Sequence, residues 1–294
     1  MESVTNRSGL TMASSTVSAN STLTQDQVER LLIMPLQEQS TYLQQGFPTF
    51  VSNGEPIKVP SLSSLGTASY VAEGSAIPEV SASTSEIELL PSAVQSTKIL
   101  ARMSNELVRQ SVVNVESAFS MKLVRDVSDF LDAAMWNGDG TNGAPTGMTN
   151  FSGNVNAGTV AGTAITSDDL YDIHELAMSN NLADDALRWA MSPATFTIIR
   201  KLSDNYGQRV LQPSLAAGAP STLLGRPYVV TNNVPDTDLL LFDRSQIAVG
   251  MDQRASITLL SETFAAYDEV AVRVVARYDT AKMNDEAVVQ LHIT

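Results

Sequence analysis

Histidine is the side chain that most readily moves protons near neutral pH, and this sequence holds two, His174 and His292, with no cysteine. Neither histidine has a second one at metal-ligand spacing, and there is no Gly-x-Ser-x-Gly elbow or Gly-x-x-x-x-Gly-Lys phosphate loop. The lack of cysteine removes disulfides, thiolate nucleophiles and cysteine-ligated metals together. His174 lies in a predicted helix, and His292 alternates with Leu291 and Ile293 in a predicted strand, so both read as structural. The stretch Asp139-Gly140-Thr141-Asn142-Gly143 has the look of a calcium loop, but acidic ligands at alternate positions are missing. It reads instead as a backbone turn that needs positive φ. The expectation is a protein without catalytic residues, cofactor or metal.

Composition narrows the alternatives. A chain of 294 residues with 43% hydrophobic content can bury a substantial core. Eighteen basic against 32 acidic residues give a net charge of −14, the wrong sign for a surface that grips phosphates as a whole. Nucleic-acid binding has to be local. No apolar run reaches the roughly eighteen residues that span a bilayer, and the N-terminus lacks a cationic segment followed by a hydrophobic block. The expectation is a protein made in the cytoplasm, without a membrane partner.

The elements that must position everything else centre on Asn114–Gly147. Val115, Phe119, Leu123, Val127, Leu131 and Ala134 recur at near four-residue spacing, with Lys122, Arg125, Asp126, Asp129 and Asp132 on the other face. That pattern predicts a long half-buried helix, begun by Asn114 and stopped at Asn137-Gly138. A glycine-rich turn follows. Before it, residues 1–22 read as a mobile arm rich in Ser, Thr and Asn, and Thr24–Leu36 as a short helix. Ile57–Met103 reads as a long hairpin, with strands at Ile57–Leu62 and Ala68–Glu73 and a return over Glu86–Arg102 that turns Val94 and Leu100 to one side. Two strands alone bury too little to stand in water, so this arm is expected to lie on a neighbouring subunit or fold back on its own domain. Ser104–Val113 predicts a short helix, and Phe151–Ala164 a surface loop.

A second α+β unit begins at Thr166, with helices from Thr166 and from Ser192-Pro193 and a strand at Arg188–Met191. Further strands are expected at Tyr228–Thr231, Leu239–Phe242, Ile247–Gly250, Ser256–Leu260, Val270–Ala276 and Ala287–Ile293. Trp136 and Trp189 read as core or interface anchors.

Three stretches together resemble the HK97-type major capsid protein family of tailed bacteriophages. They are Tyr70-Val71-Ala72-Glu73-Gly74 with Ile77-Pro78-Glu79; Ser104-Asn105-Glu106-Leu107 leading into the helix and its turn, with Pro145-Thr146-Gly147; and Val272–Asp279 followed by Asp285-Glu286-Ala287-Val288. The resemblance implies an α+β, HK97-type capsid fold. Its parts would be an N-terminal arm (1–50), an extended loop (51–103), a peripheral domain with the spine helix and glycine turn (104–164), an axial domain (165–265), and C-terminal strands (266–294) returning to the peripheral domain. It further implies a structural subunit, not an enzyme. Homo-pentamers and homo-hexamers would close into an icosahedral virion shell around double-stranded DNA, assembled in the host bacterial cytoplasm and matured from a procapsid. Implied partners are portal and decoration proteins, and a separate scaffolding protein or none, since only about fifty residues precede the loop. The loop tip lacks the lysine with which some members cross-link; the nearest are Lys58 and Lys98. The alternative is an encapsulin-like nanocompartment around protein cargo. Candidate inter-subunit contacts are Tyr70, Glu73, Glu86, Glu88, Arg102, Arg125, Trp136 and Arg277, with the arginines meeting loop acids across subunits. The acidic balance implies a wall that holds packaged DNA without binding it tightly.

Overall fold

The 23 residues from Val115 to Asn137 form one helix, α1, roughly 35 Å long at the usual rise per residue. Its apolar rhythm does what the spacing predicts: Leu123, Val124, Val127, Leu131 and Met135 are buried, while Met121, Lys122, Arg125 and Asp129 face solvent. The computed structural model describes residues 39–53, 55–64, 70–71, 83–104, 106, 115–162, 164–202, 222–252, 256–260 and 263–294. The arm over 1–22, the helix over Thr24–Leu36, Glu73 and most of Ser104–Val113 lie outside these residues.

In chain order the other elements are β1 (Thr49–Ser52), β2 (Ile57–Ser64), β3 (Ser83–Leu89), β4 (Thr97–Ser104), β5 (Val155–Val160), α2 (Ser167–Ser179), β6 (Leu187–Met191), α3 (Pro193–Lys201), β7 (Thr222–Leu223), β8 (Arg226–Val230), β9 (Asp238–Asp243), β10 (Ile247–Asp252), β11 (Ser256–Leu260), β12 (Glu269–Ala276), β13 (Tyr278–Lys282) and β14 (Val288–Ile293). They form a six-stranded sheet ordered β5-β14-β9-β6-β8-β7, two three-stranded sheets, β1-β10-β13 and β11-β12-β4, and the two-stranded hairpin β2-β3.

Strand β9 joins the two halves of the molecule. Its sequence Asp-Leu-Leu-Leu-Phe-Asp is apolar without alternation because both faces are covered. Leu240 and Phe242 pack into a core with Tyr42, Phe47, Leu131, Trp136 and Met148 beside α1. Leu239 and Leu241 pack into a second core with Leu170, Ile173, Trp189, Ile199 and Leu291. That second core is covered by α2 and α3, whose starts are encoded locally. Thr166 and Asp169 form a reciprocal capping box, and Ser192 accepts from Thr195 N ahead of Pro193.

The turn after α1 is closed by glycine where nothing else fits. Gly147 N donates to Gly138 O at 2.8 Å. A Cβ on Gly138 would fall 2.2 Å from Pro145 O, and one on Gly147 would fall 2.3 Å from Gly138 N. The last helical carbonyls are satisfied by side chains: Thr149 Oγ1 donates to Trp136 O at 3.1 Å, and Asn150 Nδ2 to Gly138 O at 2.9 Å. Asp139 accepts from Thr141 N and Oγ1, a local turn bond that lowers its pKa, while Gly140, Asn142 and Gly143 all have positive φ.

Several expectations need correction. The return from Glu86 to Arg102 is two strands, not one: β3 pairs with β2, β4 pairs with β12, and a turn at Pro91–Val94 separates them. The break resets the phase, so Ile99 packs toward the α1 core while Leu100 is exposed. Tyr70 and Val71, the described part of the expected strand Ala68–Glu73, are not in a strand. Phe151–Ala164 is not simply a loop, since it contains β5, paired in parallel with β14. Tyr278–Lys282 forms a strand the alternation did not suggest. Of the C-terminal strands, β12 and β13 lie beside α1, whereas β14 lies between β5 and β9 in the six-stranded sheet. Asp132, assigned to the polar face, is 3% exposed.

Replacing Gly138 by alanine drives a methyl group into the Pro145 carbonyl, so the variant is expected to lose about 3 kcal/mol or more in urea unfolding. A loss below about 1 kcal/mol would show that the turn can open at little cost.

Candidate assembly site at the end of the long helix

The N-terminal segment, the glycine turn and the base of the β2–β3 hairpin meet near the last two turns of α1. Residues 40–42 cross the helix there and are held by the carboxylate of Asp132. Ser40 Oγ donates to Oδ1, Thr41 N and Oγ1 donate to Oδ2 at 2.7 and 2.8 Å, and Tyr42 N reaches Oδ1 at 3.4 Å. Burial still raises the pKa of Asp132, with these bonds pulling the other way. Trp136 Nε1 donates to Thr41 Oγ1 at 3.2 Å. The indole meets Tyr42 edge-on at 5.0 Å between ring centroids, and Phe47 and Phe242 complete the cluster. The Tyr42 hydroxyl bonds to Thr280 Oγ1 on β13, and burial pushes its pKa upward.

The base of the β2–β3 hairpin is fastened nearby. Leu90 has φ +55, a left-handed conformation that is costly for leucine, and it is fully buried. Two side chains hold it there. Asp279 Oδ2 accepts from Leu90 N at 2.8 Å, and the Arg277 guanidinium donates to Leu90 O, Pro91 O and Val94 O at 3.0, 2.6 and 3.0 Å. Burial raises the pKa of Asp279, opposed by its bonds to Leu90 and Thr280 and by the charge of Arg277. Gln95 N donates to Gly143 O at 2.8 Å, so the glycine turn is tied to the same base. Beyond this anchorage the hairpin is amphipathic. Lys58, Glu86 and Glu88 share one face, with Lys58 Nζ 2.7 Å from Glu86, and Ile57, Val59 and Ile87 share the other, half-buried one.

The hairpin is anchored at its base, yet neither of its strands pairs with the six-stranded sheet or with either three-stranded sheet. A model of the phage capsid family matches residues 20–293. The chain belongs to the phage capsid family. Its fold is similar to the solved capsid of a native GTA particle (TM-score 0.71, 19% identity, 86% of this chain and 89% of that one) and to solved structures from Microbacterium phage Oxtober96 (0.69, 15%, 87% and 91%) and Mycobacterium phage Bobi (0.67, 17%, 87% and 90%). No curated protein matches the sequence. The fold is therefore the HK97 type, the family is one of structural proteins, and the nanocompartment alternative is not favoured.

For a phage capsid subunit the expected contact residues divide into two groups. Tyr70, Glu86, Glu88, Arg102 and Arg125 are exposed. Within the chain Arg102 lies 3.7 Å from Glu269 and over the Phe264 ring, and Arg125 is 3.9 Å from Asp129. Trp136 and Arg277 are corrections. Trp136 is fully buried in its own core because residues 40–47 cover the helix face that carries it. Arg277 satisfies carbonyls of its own loop base. Sequence reasoning missed Asp132, Asp279 and Leu90. The two histidines are structural: His174 Nε2 lies 3.2 Å from Asp184, which also pairs with Arg226, and His292 Nδ1 shares Asp238 with Gln290 at 2.8 Å. Trp189 is a core residue.

Replacing Arg277 by glutamine removes the guanidinium donors from the part-buried carbonyls of Leu90 and Val94 and is expected to cost roughly 2–4 kcal/mol, with faster amide exchange at Leu90. Asp279 carries a pH signature. Because its folded pKa is raised, its contribution to stability is fullest below the ordinary carboxylate pKa and is lost as pH rises through the folded value. The stability of wild type relative to Asp279→Asn should therefore fall as pH rises above the ordinary carboxylate range. A relative stability that rises instead would mean that the carboxylate is better solvated than its burial implies.

Proposed function

We propose that this chain is the major capsid protein of a phage head, assembling with copies of itself as pentamers and hexamers into an icosahedral shell around double-stranded DNA. The observation that carries the reading is the family match over residues 20–293, on a fold whose hairpin strands pair with each other and with no larger sheet. Residues 1–50 serve as the N-terminal arm, 51–103 as the extended loop, and the region about α1 as the peripheral domain. The axial domain is built on the six-stranded sheet. By strand pairing it takes β14 from the C-terminal segment and gives up β10 and β11 to the sheets beside α1. Assembly takes place in the host bacterial cytoplasm, with a separate scaffolding protein or none, and portal and decoration proteins complete the particle. The shell matures without lysine cross-links, since Lys58 is engaged by Glu86 and the tip has no lysine.

Charge supports one way for copies to meet. Lys98, Leu100 and Arg102 on β4 stand beside Val275, Arg273 and Ala271 on β12, which places three cations on the face of that sheet turned away from α1. Glu86 and Glu88 line the polar face of the hairpin, with Glu73 near its tip in sequence. In this arrangement the hairpin acids of one copy lie against Arg102 and its neighbours on the next, while Tyr70 and Arg125 contribute at the margins. Packaged DNA meets a wall that is acidic on average and slides along it.

Electron microscopy and ultraviolet absorbance of native particles test the function: regular icosahedral shells containing DNA are expected, whereas shells filled with protein would contradict it. For the contact, Glu88→Lys should reduce assembly severalfold, and Arg102→Glu in the same chain should recover part of the loss. Independent, additive effects would remove this pairing.

A further inference from the structure

Arg188 and Arg244 are cations on a chain of net charge −14, yet neither has a carboxylate within ion-pair distance among the described residues. Arg188 lies on β6 opposite Phe242, and Arg244 opens the short turn Arg244–Gln246 that follows β9. Both converge on the turn at Gln45–Gly46. Arg188 Nη1 reaches Gln45 Oε1 at 3.4 Å, and Arg244 Nη1 lies 3.4 Å from where a Cβ on Gly46 would be.

The site is built rather than incidental. Gln45 is 7% exposed, and its amide nitrogen donates to Thr41 O at 2.7 Å, which fixes the oxygen that Arg188 meets. Gly46 has φ +78, and a Cβ there would lie 3.4 Å from Arg244 Nη1, so the glycine keeps the space beside that guanidinium clear. The adjacent acid, Asp243, is occupied elsewhere: Oδ1 accepts from Ser245 N and Oγ, and Oδ2 from Ala183 N. Burial and the charge of Arg244 both lower the pKa of Arg188. The folded chain thus holds two like charges together, half-buried, while acids are in surplus.

We propose that Arg188 and Arg244 form a carboxylate-binding site for an acidic side chain of a second copy of this chain. The proposal rests on the shell-subunit reading and adds a contact separate from the hairpin. A guanidinium fork matches a carboxylate with two parallel bonds. Every copy carries 32 acidic residues against 18 basic ones, so a neighbour in a shell offers carboxylates at high local concentration. A phosphate polymer would instead have to approach against the net charge of the whole subunit.

The experiment compares the full chain with Arg188→Gln and Arg244→Gln. It follows thermal unfolding of unassembled protein, the protein concentration at which shells form, and DNA binding by capsomers. Loss of a like-charge contact should leave unfolding unchanged or at higher temperature, while the concentration needed for shells rises about tenfold. Arg244→Gln, in the half-buried turn after β9, carries the test alone if Arg188→Gln unfolds. Shell formation unchanged in Arg244→Gln would overturn the proposal, and so would unchanged assembly with lost DNA binding, which would make phosphate the ligand. Wild-type protein that forms no shells would overturn the shell reading itself, a result distinct from either.

Discussion

The buried carboxylate of Asp132 and the aromatic cluster around Trp136 are the constraint on which the rest of the subunit depends. A carboxylate that is 3% exposed must receive donors, and it receives them from residues 40–42, which draws the chain entering from the N-terminus across the end of α1. Once that segment is in place, Tyr42 and Phe47 fill the space between Trp136 and Phe242 and reach β13 through Thr280. The glycine turn then folds back on the last helical carbonyls, and Gln95 binds it to the base of the hairpin. One helix terminus therefore sets the direction of the N-terminal segment, the hairpin and the turn together.

Such a design suits a protein that has to project parts toward its neighbours. Among the described side chains of the hairpin β2–β3 and its base, the fully buried ones are Leu89 and Leu90, where Gly250 lets both leucines pack close. The positive φ at Leu90 costs conformational energy that three guanidinium bonds and one carboxylate bond offset. A projection held rigidly at its base loses less entropy when it docks, so weak contacts repeated over many copies suffice to close a shell.

Much of this was legible in the sequence. The four-residue rhythm of α1, the Thr166 and Ser192 caps and the Asn137-Gly138 stop are local signals, and they formed where the chemistry put them. What failed was tertiary. Asp132 and Trp136 fall near the solvent side of the helix by angle alone, and only the crossing of residues 40–47 buries them. Leu100 was placed on the wrong face because the Pro91–Val94 turn interrupts the count along the strand. Strand β5 is polar and carries a glycine because it is an edge strand, whose exposed face gains nothing from apolar residues. Arg277 looked like a surface charge since nothing local announces that three carbonyls will converge on it. Glu86, Glu88 and Arg102 kept their surface positions, as charged residues on half-exposed strands do.

Amide hydrogen exchange, followed through assembly of the purified protein, tests the central claim most directly. If a rigid hub carries a projection that its neighbours complete, amides around Tyr42, Leu90 and Met135 are slow in the free subunit, and β2–β3 becomes protected only in shells. Full protection of β2–β3 in the unassembled subunit would contradict this, because the hairpin would then be complete on its own.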